Sequence, residues 1–166
     1  MPRRVFFSFH HQLDLARAAQ VRGIGLVSGN STLSDSDWSR VVAKGETIIQ
    51  KWIDGQLADR ECLIVLIGAQ TAGRRGINYE IDKAWAAKKG VMGIYVHNYS
   101  DANGAKSTKG KNPFEDFTLK STGAKLAAIV KAHDPLPTEN RAITNYISVN
   151  LAKRVQEAIR IRAGQP

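Results

Sequence analysis

Between Glu61 and Lys89 the chain reads ECLIVLIGAQTAGRRGINYEIDKAWAAKK, and three of its side chains could do chemistry: Glu80, Arg74 and Arg75. They follow an unbroken apolar run, Cys62 to Ile67, that Gly68 ends. Such a run predicts a strand buried on both faces of a parallel sheet. Ala69 to Gly76 is then a polar loop, and the spacing of Ile81, Ala84 and Trp85 predicts a helix from Ile77, with Gly90 closing it. In open α/β sheets ligands bind at the carboxyl ends of strands, which is where this loop lies. Glu80, read in the first turn of that helix, is the candidate catalytic carboxylate. The plainer reading is an acid that complements the helix dipole. Cys62 is mid-strand and reads as a small buried hydrophobe rather than a nucleophile. His10 and His11 have no further ligands at metal-site spacing, so no metal is expected.

These residues need a scaffold, and periodicity supplies one. Val5 to Phe9 predicts a central strand, His10 to Gln12 a loop, and Asp14 the start of a helix through Leu15, Ala16, Ala19 and Val21. Gly23 closes that helix, and Ile24 to Val27 predicts a second strand. GNSTLSDSD, Gly29 to Asp37, is a loop of turn formers. Ser36 or Asp37 caps a helix over Trp38 to Leu57 with Val41, Val42, Ile48, Ile49, Trp52 and Ile53 inward and Gly45 weakening its middle. Val91 to Val96 is the next buried strand. His97 to Phe117 is a long loop of the kind that is functional or mobile. Its Gly-Ala-Lys-Ser lacks phosphate-loop spacing. Leu126 to Val130 reads as a weak last strand, and Asn140 to Arg162 as a final helix with Ile143, Ile147, Leu151, Val155 and Ile159 inward. The order predicts a flavodoxin-like, doubly wound, mostly parallel sheet in three α/β/α layers, with central strands at Val5 and Cys62. The loop after Phe9 and the loop before Glu80 then meet. The first strand lacks a phospho-receiver's acidic pair and a flavodoxin's phosphate loop.

The chain's 166 residues suit one domain, 1–166. With 43% hydrophobic and 23% charged residues it is globular rather than disordered. No apolar run approaches the roughly 20 residues of a membrane span, MPRRVFF is no signal peptide, and one cysteine makes no internal disulfide. A cytoplasmic protein without membrane contact is expected. The net charge of +9 suits polyanions. The cations are nonetheless dispersed and not interleaved with aromatics as on a nucleic-acid platform.

Six segments in order resemble the TIR-like ThsB family of the Thoeris anti-phage defence system. They are RVFFSFHHQLD, DSDW, CLIVLIGAQT, RRGINYEI, GVMGIYVHN and KGKNPF, spanning residues 3–117. The resemblance implies a TIR-like fold and an enzyme with NAD as substrate and no cofactor. It would break the nicotinamide–ribose bond, as an NAD glycohydrolase or ADP-ribosyl cyclase does. The product would be an ADP-ribose-derived messenger, cyclic or conjugated, that activates a separate effector. A phage-derived trigger and self-association through TIR surfaces are the other implied partners. Glu80 takes the catalytic position in INYEI. Around it the resemblance implies a substrate-binding set: Ser8, Phe9 and His10 in the first loop, Asp37 and Trp38 opening the facing helix, Arg74 and Arg75 for the pyrophosphate, and Tyr79. Gly76 departs from the pattern, because TIR enzymes commonly carry a tryptophan four residues before the glutamate. Two other classes fit the sequence: a non-catalytic TIR interaction module, which that departure favours, and a basic nucleic-acid-binding protein. Residues 118–166 fall outside the resemblance and complete the domain with a weaker strand and the C-terminal helix.

Overall fold

The computed structural model describes residues 2–29 and 43–166. Among the described residues, five strands form one parallel sheet in the order β2-β1-β3-β4-β5: β1 (Arg3–Ser8), β2 (Val27–Ser28), β3 (Cys62–Ile67), β4 (Gly90–Tyr95) and β5 (Ala132–His133). Val5 pairs with Cys62 and Ser8 with Val65, so β1 and β3 lie side by side at the sheet's centre. This is the flavodoxin-like order of a TIR-type α/β fold.

The pleat of β3 divides the core. Cys62, Ile64 and Leu66 join one apolar cluster, and Leu63, Val65 and Ile67 join the other. All six are fully buried, each contributing at most about 1.5–3 kcal/mol of transfer free energy for a Val, Leu or Ile side chain. Helices α1 (His11–Arg22) and α4 (Asn140–Ala163) cover the first face. On α4 the stripe Ile143, Ile147, Leu151, Val155 recurs every four residues and is buried throughout. Helices α2 (Glu46–Leu57) and α3 (Arg75–Ala86) cover the second face through Ile53, Leu57, Ile77, Ile81 and Ala84. No described helix is long and apolar enough to cross a membrane.

Several boundaries differ from those read off the sequence. Strand β2 is Val27–Ser28 rather than Ile24 to Val27, because residues 25 and 26 turn and Leu26 is exposed. Gly45 is not mid-helix: at φ +100° it is the N-cap of α2, a conformation suited to glycine. Ile48 on α2 is exposed rather than inward. Trp38, Val41 and Val42 lie outside the described residues. Residues Leu126–Ala128 form a 3-10 turn, and the last strand is Ala132–His133. Trp85 is half-buried under the Arg162 guanidinium, 4.3 Å from its ring centroid.

Gly90 begins β4 rather than ending a helix, and its lack of a side chain is a packing requirement. A Cβ there would lie 2.8 Å from Ile159 N and 3.0 Å from Ala158 C, both backbone atoms of α4. Gly90→Ala is therefore expected to cost about 1–3 kcal/mol, since a packed backbone yields poorly to overpacking. Thermal melting checks this, and an unchanged midpoint would contradict it.

The loop after β4 is a packed strap. Tyr99 is fully buried, and its hydroxyl lies 2.7 Å from Thr144 Oγ1 on α4. Arg17, buried on α1, donates to the carbonyl oxygens of Tyr99 and Ala105, both at 2.9 Å, and pairs with Asp14 Oδ1 at 2.9 Å. Gly110 crosses directly over the Gly68 carbonyl at the end of β3, where a Cβ would meet that oxygen at 2.1 Å. Lys109 sits over the Tyr95 ring and pairs with Asp134.

Candidate active site

The carboxyl ends of β1 and β3 project their following loops toward the α2–α3 side, and a cleft of about 700 Å³ opens there. That is within the size range of small-molecule sites. Its walls include Phe9 and His11 from the first loop and helix, Ile49, Gln50 and Ile53 from α2, and Arg74, Gly76, Tyr79 and Glu80 from α3 and its cap.

Glu80 lies in the second turn of α3, whose first turn carries no acidic residue. The dipole-complementing role therefore belongs to no acid on this helix. Glu80 is 7% exposed, yet it lines the cleft. Among the described residues its Oε2 has no hydrogen-bond partner. Burial pushes its carboxyl up to about 8, and the nearby Ser8 hydroxyl opposes that shift. Ser8 Oγ comes close enough to favour the ionised form but falls short of hydrogen-bond geometry.

This shift has a measurable consequence. At low pH the carboxyl is protonated in both folded and unfolded chains. As pH rises from about 4.5 to about 8 the unfolded chain gives up its proton first, so stability falls across that window and levels off above it. Glu80→Gln removes this loss. Its melting temperature is expected to exceed the wild type's by roughly 5 °C or more near pH 8.5, with the gap closing near pH 5. Calorimetry at both pH values checks this, and a gap independent of pH would contradict it.

The other residues picked from the sequence divide into three groups. Phe9, Arg74, Arg75 and Tyr79 line the cleft with Glu80. Phe9 stacks on His11, ring centroids 6.1 Å apart, and the two rings form an aromatic wall of the cleft. Ser8 and His10 are buried behind it. His10 is the N-cap of α1: its Nδ1 accepts from Leu13 N at 3.1 Å, and its Nε2 faces Arg74 Nη1 at 2.8 Å. Burial and the Arg74 charge hold its pKa down. A neutral ring has one lone pair for these two N–H neighbours, so one contact at a time is a hydrogen bond. Asp37 and Trp38 lie outside the described residues.

Two contacts bridge α2 and α3 at the cleft's rim. Tyr79 donates its hydroxyl to Asp54 Oδ1 at 2.9 Å, and Arg75 pairs with Glu46 at 3.2 Å. The second is exposed and worth under about 1 kcal/mol. Gln12 and Gln50 also line the cleft, and no pattern in the sequence singles them out. Ile49 and Ile53 carried a signal, their four-residue spacing, but it marked only an apolar face. Cys62 is buried in β3, its thiol pushed far up by burial.

Residues 6–101, which contain Glu80 and its loops, match the family described as "Thoeris protein ThsB, TIR-like domain". The chain is also 33% identical over 134 residues to a Bacillus cereus (strain MSX-D12) protein named "Putative cyclic ADP-D-ribose synthase ThsB1", covering 76% of this chain and 69% of that one. The chain therefore belongs to the TIR-like ThsB family of the Thoeris defence system.

Proposed function

We propose that this protein cleaves NAD at the nicotinamide–ribose bond and turns the ADP-ribose part into a cyclic messenger that activates a separate Thoeris effector. The observation that carries the reading is the Glu80 carboxyl, buried, with its Oε2 unpartnered among the described residues, and set in the wall of a ligand-sized cleft. The name of the Bacillus cereus relative supplies the class of product.

Nicotinamide leaves as a neutral molecule, so the departing group needs no proton. The transition state instead gathers positive charge on the ribose, and a carboxylate in a water-poor wall stabilises that charge more than it could in water. Glu80 is mostly protonated at neutral pH in the free protein. The cationic pyridinium of NAD, arriving beside it, draws the carboxyl to its ionised form. Substrate thereby readies its own catalyst. Phe9 and His11 form a stacking wall for a planar ring. Arg74 is within reach of the cleft, and phosphate oxygens offer it better acceptors than the His10 ring does.

The test is nicotinamide release in lysates of phage-infected cells expressing the protein. Release above that of cells expressing Glu80→Gln is the expected result. Equal release, with both proteins folded and cells responding to phage, would contradict the reading.

A further inference from the structure

Gly68 follows β3 and opens the loop that runs to Arg74, the N-cap of α3. It is closed in on two sides. A Cβ on Gly68 would meet Asp14 Oδ2 at 2.1 Å. On the other side lies Gly110 of the strap, where a Cβ would meet the Gly68 carbonyl oxygen at 2.1 Å and Ala69 C and O at 3.1 Å. Neither glycine has a positive φ, so close approach rather than backbone angle demands them. The atoms under Gly110 are all backbone and cannot turn aside as a flexible side chain would.

Two lines of contact lead from this point to Arg74. The first is the loop itself. Thr71 is fully buried, and its hydroxyl accepts from Gly68 N at 2.8 Å while reaching back to the Leu66 carbonyl at 3.5 Å. Where Gly68 goes, Thr71 follows, and Arg74 lies three residues on. The second line runs through α1. Arg17 holds the strap's Tyr99 and Ala105 carbonyls and pairs with Asp14. Asp14 N in turn donates to the His10 carbonyl at 2.8 Å, and the His10 ring meets Arg74. Both lines begin on the strap and end at a guanidinium that lines the cleft.

We infer that Gly110 is a positioning residue: by bearing on the Gly68 carbonyl, the strap fixes the β3–α3 loop and so the place of Arg74 at the cleft. This inference rests on the NAD-cleaving reading, in which Arg74 meets the substrate's phosphates. Paired N–H···O contacts from a guanidinium to phosphate depend on its plane and position, so a shifted loop costs affinity. Glu80 stands outside this hold, because Ile77 and Ile81 anchor α3 in the core. The strap thus governs how tightly substrate is held rather than how fast the bond breaks.

The experiment uses the full chain in infected-cell lysates and follows nicotinamide release against NAD concentration. It compares wild type with Gly110→Ala, Thr71→Val, Thr71→Ser and Gly90→Ala. Gly110→Ala pushes on Gly68 from outside, and Thr71→Val unties it from within at nearly the same volume. Both are expected to raise KM about tenfold, the worth of one well-placed charge-assisted contact, with kcat within about threefold of wild type. Thr71→Ser keeps the hydroxyl and should keep KM. Gly90→Ala makes the same kind of backbone clash at the start of β4, so it should lose stability yet leave KM within about twofold. Hydrogen exchange on the purified chains reads the loop without substrate. The Asn78 amide, which donates to the Arg74 carbonyl at 2.9 Å, should exchange faster in Gly110→Ala and Thr71→Val than in Gly90→Ala. An unchanged KM in folded Gly110→Ala and Thr71→Val overturns the inference, and so does an equal rise in Gly90→Ala. If Gly110→Ala does not fold, Thr71→Val against Thr71→Ser decides. If wild type releases no nicotinamide above background, the NAD reading fails. Exchange at Asn78 then decides alone: faster in the two loop variants upholds the strap's hold on the loop, and equal rates overturn it.

Discussion

Glu80→Gln is expected to slow nicotinamide release by at least about 100-fold while leaving KM for NAD within a few-fold of wild type. Removing one preorganised electrostatic group from a transition state typically costs that much. The isosteric amide keeps the cleft's shape and loses only the carboxylate's attraction for the bound pyridinium, which accounts for the few-fold change in KM, so most of the loss falls on the chemical step. The pH profile should separate this from damage to the fold. Because burial pushes Glu80 up to about 8, kcat/KM of the wild type is expected to rise with pH and level off above that value. The variant should lack this limb and be the more stable protein in the same range. Stability and activity moving in opposite directions is what a buried carboxyl kept for chemistry entails. A variant that loses both stability and activity would mark Glu80 as structural.

The second large effect concerns Arg17. Arg17→Met is expected to destabilise the fold by about 3–5 kcal/mol, because it strands the buried partner of an ion pair. Asp14 is 2% exposed and packs against Gly68, where a Cβ would meet its Oδ2 at 2.1 Å. Its Oδ1 depends on Arg17, and burial already raises its pKa. The Tyr99 and Ala105 carbonyls lose their guanidinium donor at the same time. Hydrogen exchange should show lost protection across residues 99–105, and calorimetry a lower midpoint. The double variant Asp14→Asn with Arg17→Met should recover part of the loss, since no charge is then left buried. A midpoint within about 1 °C of wild type for Arg17→Met would contradict the clamp, a 3–5 kcal/mol loss being worth several degrees at this chain length.

Why Arg17 escaped notice in the sequence shows where reading stops. Strand β3 and helix α4 were plain because their apolar patterns and their burial coincide. Helix α1 is different: its buried residues are Asp14, Arg17, Ala18 and Val21, two of them charged, while Ala19 is exposed. Hydrophobic spacing cannot reveal a buried ion pair whose other partners are carbonyls some eighty residues away. The same holds for the strap. Its Gly, Asn, Lys and Ser content looks like a free loop, yet Tyr99 and Phe114 are fully buried and anchor it. Strands β2 and β5, two residues each, carry too short a pattern to place within a few positions.

At the site, the meeting of the first loop with the Glu80 loop followed from strand order alone. The division of labour within that loop did not. His10 and His11 are neighbours in sequence, yet the first caps α1 from inside and the second faces the cleft. Capping geometry decided that. Helix propensity reads Gly45 as a weak point inside a helix and Gly90 as a helix stop, whereas both answer to constraints outside it: a positive φ in the first case and the α4 backbone in the second.

The central claim is that the buried Glu80 carboxyl serves NAD cleavage. Its most direct test is mass spectrometry of isotope-labelled NAD in infected-cell lysates, with wild type and Glu80→Gln compared at equal folded protein. The account predicts a nicotinamide-free species retaining adenine and both riboses, made by wild type and absent with the variant. The same species in equal amount from both proteins, or none from wild type while cells still defend themselves, would contradict it.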